Sequence, residues 1–220
     1  MSSPRPTPPA PPAKPAGPGR PKDLSKRTAI LEAAKRLFLI EGFDGVSMDQ
    51  IATEAGVSKL TVYSHFGDKE TLFGAAVKTY CEQHLPSPLF EPAPATPLRA
   101  RLIEIAVAFY DMISTPEAIQ IHRLLCSPQV AESALSKMFW DAGPQRLHDE
   151  FESLLVRRVE SGELEIADTA RAATQFFALV KGEPHALLMF GCGFTGKAEL
   201  KAHIEASVAM FLRAYARRGD

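Results

Sequence analysis

Cysteine is scarce in this chain. Cys81, Cys126 and Cys192 are its three cysteines, and none stands at CxxC spacing to another. That excludes a disulfide scaffold and a thiolate zinc site, and it suits a reducing compartment. Tryptophan occurs once, as Trp140. No apolar run approaches membrane-spanning length, and the N-terminus has no apolar signal core, so no membrane partner and a cytoplasmic location are expected. The signatures of catalysis are missing too. There is no GxGxxG after a strand, no GxxxxGK[ST], no HExxH and no GxSxG. The expectation is a protein that is not an enzyme and that needs no cofactor and no metal.

Strong charge of either sign is also lacking, since the net charge is −1. This argues against general coating of nucleic acid. The balance hides an asymmetry, however. Residues 1–40 carry 8 Lys+Arg against 2 Asp+Glu, and residues 81–220 carry 14 against 18. The basic excess lies at the N-terminal end, where phosphate contacts would need it.

Proline marks two breaks. Residues 1–22 are Pro/Ala-rich, too poor in apolar side chains to fold, and read as a disordered basic arm. Its last residues include Arg20 and Lys22, placed to reach a DNA groove. The second break is SPLFEPAPATP, residues 87–97. It divides a unit of residues 23–85 from one of residues 86–220. Every periodic segment outside the breaks has helical spacing. The fold class is therefore all-α, with about nine helices. Asp168 is expected to cap one unbroken helix reaching about Phe190.

Within the first unit, residues 47–66 read SMDQIATEAGVSKLTVYSHF. Ser47 and Gln50 stand at capping-box spacing, and Met48, Ile51, Ala52 and Ala55 form an apolar stripe. Gly56 provides a sharp turn, and Ser58 caps a second helix. Val62 and Phe66 share its inner face. The outer face carries Lys59, Thr61, Tyr63, Ser64 and His65, which are hydrogen-bonding groups with one fixed charge. This is the surface of a helix that lies in a DNA major groove, although an ordinary helical hairpin shares the pattern.

Extended to its neighbours, the pattern resembles the TetR family of bacterial transcriptional regulators. The resemblance rests on Thr28–Ala34 to Phe38, Gly42-Phe43, Ser47–Ala52, Ala55–Ser58, Thr61–Phe66 and Lys69–Phe73. It runs from about Ser25 to Tyr80 without gaps. The Ala142-Gly143-Pro144 break and the Gly162-Glu163-Leu164 turn are similar to the AefR-like branch. The resemblance implies a homodimer bound to double-stranded DNA with paired half-sites. It also implies a C-terminal ligand-binding and dimerisation domain, with repression released by a small molecule of unknown identity, apolar or amphipathic. Carried over by position, Ser47, Tyr63, His65 and Lys69 match phosphate contacts, and Lys59, Leu60, Thr61 and Ser64 match positions facing bases or backbone. Leu60 could touch a thymine methyl or pack on its neighbours. Lys69 opens a helix, a poor place for a cation unless an anion lies nearby.

The second unit is less diagnostic. Phe109, Met112, Ile113, His122, Cys126, Met138, Phe139, Trp140, Phe177, Lys181 and His185 are candidates to line a cavity, though such a set is also what a plain core contains. Lys181 lies in the apolar stretch QFFALVKG, and burial there would demand an acceptor, either across a dimer interface or on an anionic ligand. Phe176, Val180, Leu187, Ile204, Val208, Phe211 and Leu212 in the last two helices are expected at the dimer interface. A redox sensor built on Cys126 or Cys192 is the alternative to ligand control, but no basic cluster lies beside either residue.

Overall fold

Short polar side chains decide where the first helices begin. The computed structural model describes residues 23–91, 96–128, 133–193 and 195–217. In it Asp23 caps α1 (Leu24–Gly45), Ser47 caps α2 (Met48–Glu54), Ser58 caps α3 (Lys59–Phe66) and Asp68 caps α4 (Lys69–His84). Each cap side chain accepts a bond from a backbone N–H that the helix itself leaves unpaired, a contribution of about 1 kcal/mol. The capping box at Ser47 is complete, because its N–H donates back to Gln50 Oε1 at 2.7 Å. α1 is interrupted at Gly42, where the expected helix end falls.

The inner faces of these four helices meet in one hydrophobic cluster that includes Ile30, Phe38, Ile51, Val62, Phe66, Leu72 and Phe73. Ile51 and Val62 are fully buried. Burial of such a side chain contributes roughly 1.5–3 kcal/mol, so this cluster, more than helix propensity, holds the short α2 and α3 in place.

After a 3-10 turn at Ser87–Leu89 come α5 (Leu98–Ile113), α6 (Pro116–Leu125), α7 (Ala134–Ala142), α8 (Pro144–Glu160), α9 (Thr169–Phe190) and α10 (Lys197–Tyr215). The described residues thus form ten α-helices, close to the nine expected. They contain no strand, only an isolated bridge between Leu164 and Ala216. α9 packs against α5, α6, α8 and α10. Phe151, Phe176, Phe177 and Phe211 stack at its centre, with ring centroids 4.5–6.4 Å apart.

Two expectations are corrected here. The helix from Asp168 to Phe190 is not continuous, since Gly182 has φ 44° and ψ −155° and Pro184 follows. Proline has no N–H, so the Val180 carbonyl loses its helical donor. The His203 ring on α10 stands at that carbonyl instead, Nε2 to O 3.1 Å, and Ser207 Oγ donates to the Leu179 carbonyl at 3.2 Å. A Cβ at Gly182 would lie 2.5 Å from His203 Cε1, so no larger residue fits the break unchanged. The second correction concerns the dimer surface. Phe176, Val180, Ile204, Val208 and Phe211 are at most 4% exposed within a single chain and belong to its core. Leu187 and Leu212 are half-buried. The apolar excess on α9 and α10 is consumed by α5 and α8, leaving little of it for a partner.

Candidate nucleic-acid interface and cavity

α2 and α3 are joined by a turn in which Val57 N–H donates to the Ala52 carbonyl at 3.0 Å. Gly56 has φ 65° with open space around it, so backbone conformation alone selects glycine there. The turn leaves the outer face of α3 uncovered. Lys59, Leu60, Tyr63 and Ser64 are exposed, and Thr61 and His65 are half-buried. Leu60 is 79% exposed, which removes the reading in which it packs on its neighbours.

The polar groups differ in how free they are. Lys59 Nζ bonds Asp49 Oδ2 of α2 at 2.9 Å, and that bond raises its pKa. The hydroxyls of Thr61 and Ser58 are 2.8 Å apart, and Ser64 Oγ donates to the Thr61 carbonyl at 2.8 Å. His65 Nδ1 is buried without a partner among the described residues, leaving Nε2 for an outside contact. Ser47 sits at the exposed N-terminus of α2. Arg20 and Lys22 lie outside the described residues.

Lys69 departs from its expected role. Its ammonium donates to the carbonyls of Phe43 at 2.9 Å and Val46 at 3.1 Å, and stands 4.3 Å from the Phe43 ring centre. The cation at the start of α4 answers carbonyls at the end of α1. Sequence spacing holds no sign of this contact, because it joins residues 23 and 26 positions apart.

The other feature is a cavity of about 470 Å³ between the two hydrophobic clusters. Of the eleven residues expected to line a cavity nine border it; Met138 does not, and Phe177 stands behind the wall, stacked on His148. Sequence reasoning missed the head's share of the wall. Phe38 of α1 and Phe73, Val77 and Tyr80 of α4 line it, along with His148 of α8. The helical spacing of the apolar ones reads as core, and spacing does not distinguish a filled core from an open one. Lys181 is corrected as well. It borders the cavity at the α9 break but is exposed and has no ion pair among the described residues.

Desolvation dominates the titration of the wall. It pushes the Cys81 thiol up to about 11, which leaves that thiol unreactive near neutrality. It pushes His122 down to about 4, with help from His185 and Lys181, and lowers His148 and His185 too. All three imidazoles are therefore neutral at pH 7. No group of three or more His, Cys, Asp or Glu able to hold a metal occurs among the described residues, and no described helix is long and apolar enough to cross a membrane.

A capped, sharply turned helix pair with a polar outer face, seated on a helical body, defines a helix-turn-helix DNA-binding protein. Comparison with known proteins narrows the class. The family profile of bacterial regulatory proteins, tetR family, matches residues 30–76. The profile of the AefR-like transcriptional repressor C-terminal domain matches residues 100–217, more than half of the chain. The chain belongs to the TetR family of transcriptional regulators, and it is not an enzyme.

Among curated relatives, the HTH-type regulator YdeS of Bacillus subtilis is 40% identical over 70 residues, 32% of this chain and 35% of YdeS. The chain thus spans about a third of that relative's length. A TetR-family regulator from Mesorhizobium loti has a similar structure, with TM-score 0.71 and 30% identity over 90% of this chain and 100% of its own. The flavonoid-responsive regulator FrrA has TM-score 0.70 and 30% identity over the same shares.

Proposed function

We propose that this protein is a cytoplasmic, homodimeric repressor. It reads paired half-sites in double-stranded DNA and leaves them when an apolar or amphipathic small molecule fills the cavity. The observation that carries this reading is the sharing of the cavity wall between the head and the helices behind it. A molecule in it would press on Phe73, Val77 and Tyr80 of α4. Leu72 of α4 is packed in the same cluster as Val62 and Phe66 of α3, so movement of α4 carries the reading helix with it. Two such helices in a dimer must match half-sites about 34–36 Å apart, and a small change of angle spoils that match.

In this scheme Lys59 and Leu60 face the groove, while Ser47, Tyr63, His65 and the α3 backbone hold phosphates. Arg20 and Lys22 add contacts from the arm. Dimerisation uses the outward faces of α9 and α10, where Ala178, Ala202, Ala206 and Met210 are exposed. The name of FrrA, flavonoid-responsive, supports control by a small ring compound, and the repressor profile supports the sign.

Fluorescence anisotropy with duplexes from the DNA upstream of the protein's own gene tests the reading. One duplex should bind at least ~10³-fold more tightly than scrambled DNA, with affinity falling steeply as salt rises. Equal binding of all duplexes would refute it.

A further inference from the structure

The cavity wall has a distinct charge. Among the described residues two lysines and three histidines border it, and not one Asp or Glu does. Lys35, at the α1 side, is already taken by Glu32 at 2.7 Å and Gln83 at 2.8 Å. At the opposite side Lys181 has no ion pair among the described residues. Beside it, His185 Nε2 is buried with no hydrogen-bond partner, and the His185 ring lies 5.7 Å from that of His122. A buried polar atom left unpaired is costly, so this end of the cavity is built incomplete. Most of the rest of the wall is apolar, including Phe109, Met112, Ile113 and Phe139.

We propose that the cavity takes an apolar molecule with a single acidic oxygen group, bound with that group between Lys181 and His185. The proposal rests on the ligand-binding reading of the cavity and adds the chemical class. Lys181 supplies the positive charge and His185 the hydrogen bond, and no carboxylate among the described wall residues opposes an anion. A cationic ligand would meet Lys181 with nothing to neutralise it. A wholly apolar ligand would leave His185 Nε2 unpaired.

Trp140, the sole tryptophan, borders the cavity and reports on its contents by fluorescence. The test titrates the full chain with biphenyl-4-carboxylic acid, its primary amide and 4-(aminomethyl)biphenyl. These have similar bodies and differ in the charge and hydrogen bonding of one group. The acid is expected to bind at least tenfold more tightly than the amide, and the amine more weakly than both. Lys181→Met changes an exposed side chain. It should bring the acid down to the amide's affinity while leaving the amide unchanged, and His185→Phe by itself should also narrow the gap. Equal binding of acid and amide, or preference for the amine, would overturn the acidic-ligand proposal and leave the cavity's ligand role standing. If none of the three altered Trp140 emission, and none displaced DNA, both readings would fall together.

Discussion

Lys69, the first residue of α4, closes onto the Phe43 carbonyl 26 residues earlier, with Nζ 2.9 Å from that oxygen. The bond locks the end of α1 to the start of α4 and fixes where the chain enters α2. Lys69→Met is expected to lower stability by about 1.5–3 kcal/mol, the usual contribution of a hydrogen bond to a charged group. Urea unfolding measures it. The salt slope of DNA binding should stay within one phosphate of the parent value; a slope flattened by ~1 with unchanged stability would restore the phosphate role.

Leu60 stands 79% exposed on the outer face of α3, and an apolar contact with a thymine methyl would explain it. Replacing the contacted thymine by uracil removes one methyl and leaves every hydrogen bond. The parent protein should lose about 0.8 kcal/mol, or roughly fourfold in affinity, per half-site. Leu60→Ala should be indifferent to the exchange. If uracil scanning across the operator never weakens the parent protein, Leu60 does not read a methyl.

The break in α9 depends on Gly182. Its φ of 44° excludes alanine, and so does the His203 ring, which lies 2.5 Å from where a Cβ would stand. Gly182→Ala is expected to cost about 3 kcal/mol, or ~6–12 °C in Tm, from backbone strain together with overpacking. His203→Ala alone should cost about 1–3 kcal/mol by leaving the Val180 carbonyl bare. Combined, the two should cost less than their sum, because the clash needs both. Additive losses by calorimetry would show that His203 does not crowd the break.

Acid should weaken the fold through the cavity histidines. His122 is held down at about 4, below its ordinary 6.5, so the unfolded chain binds the extra proton first as pH falls. Stability is full above pH 6.5 and declines toward pH 4. Between pH 7.5 and 5 the loss from His122 alone is about 2 kcal/mol, with His148 and His185 adding to it in the same direction. Urea unfolding at fixed protein concentration measures this, and His122→Phe should remove its share. An unchanged pH slope in that variant would place the titration elsewhere.

How much was legible divides along physical lines. Ser47, Ser58 and Asp68 act on N–H groups three residues away, so each cap can be read from adjacent sequence. Val62 and Phe66 lie on one helix face, and a four-residue spacing places them inward. The cavity residues were partly legible for the same reason: Phe109, Met112 and Ile113 mark an inner face of α5. Phe73 and Tyr80 also mark an inner face, but nothing local says that it borders empty space.

Sequence by itself determined the all-α class, the capped helix pair and its polar outer face, because these follow from interactions within a few residues. Tertiary structure alone decided three things. It set Lys69 against Phe43 rather than against an anion. It buried Phe176, Val180 and Phe211 within the chain instead of leaving them for a partner. It left a space between α4 and α5 to α9, with His185 unpaired beside it. Each depends on which helix covers which face across tens of residues, and periodicity states only that a face is apolar, not what comes to lie against it.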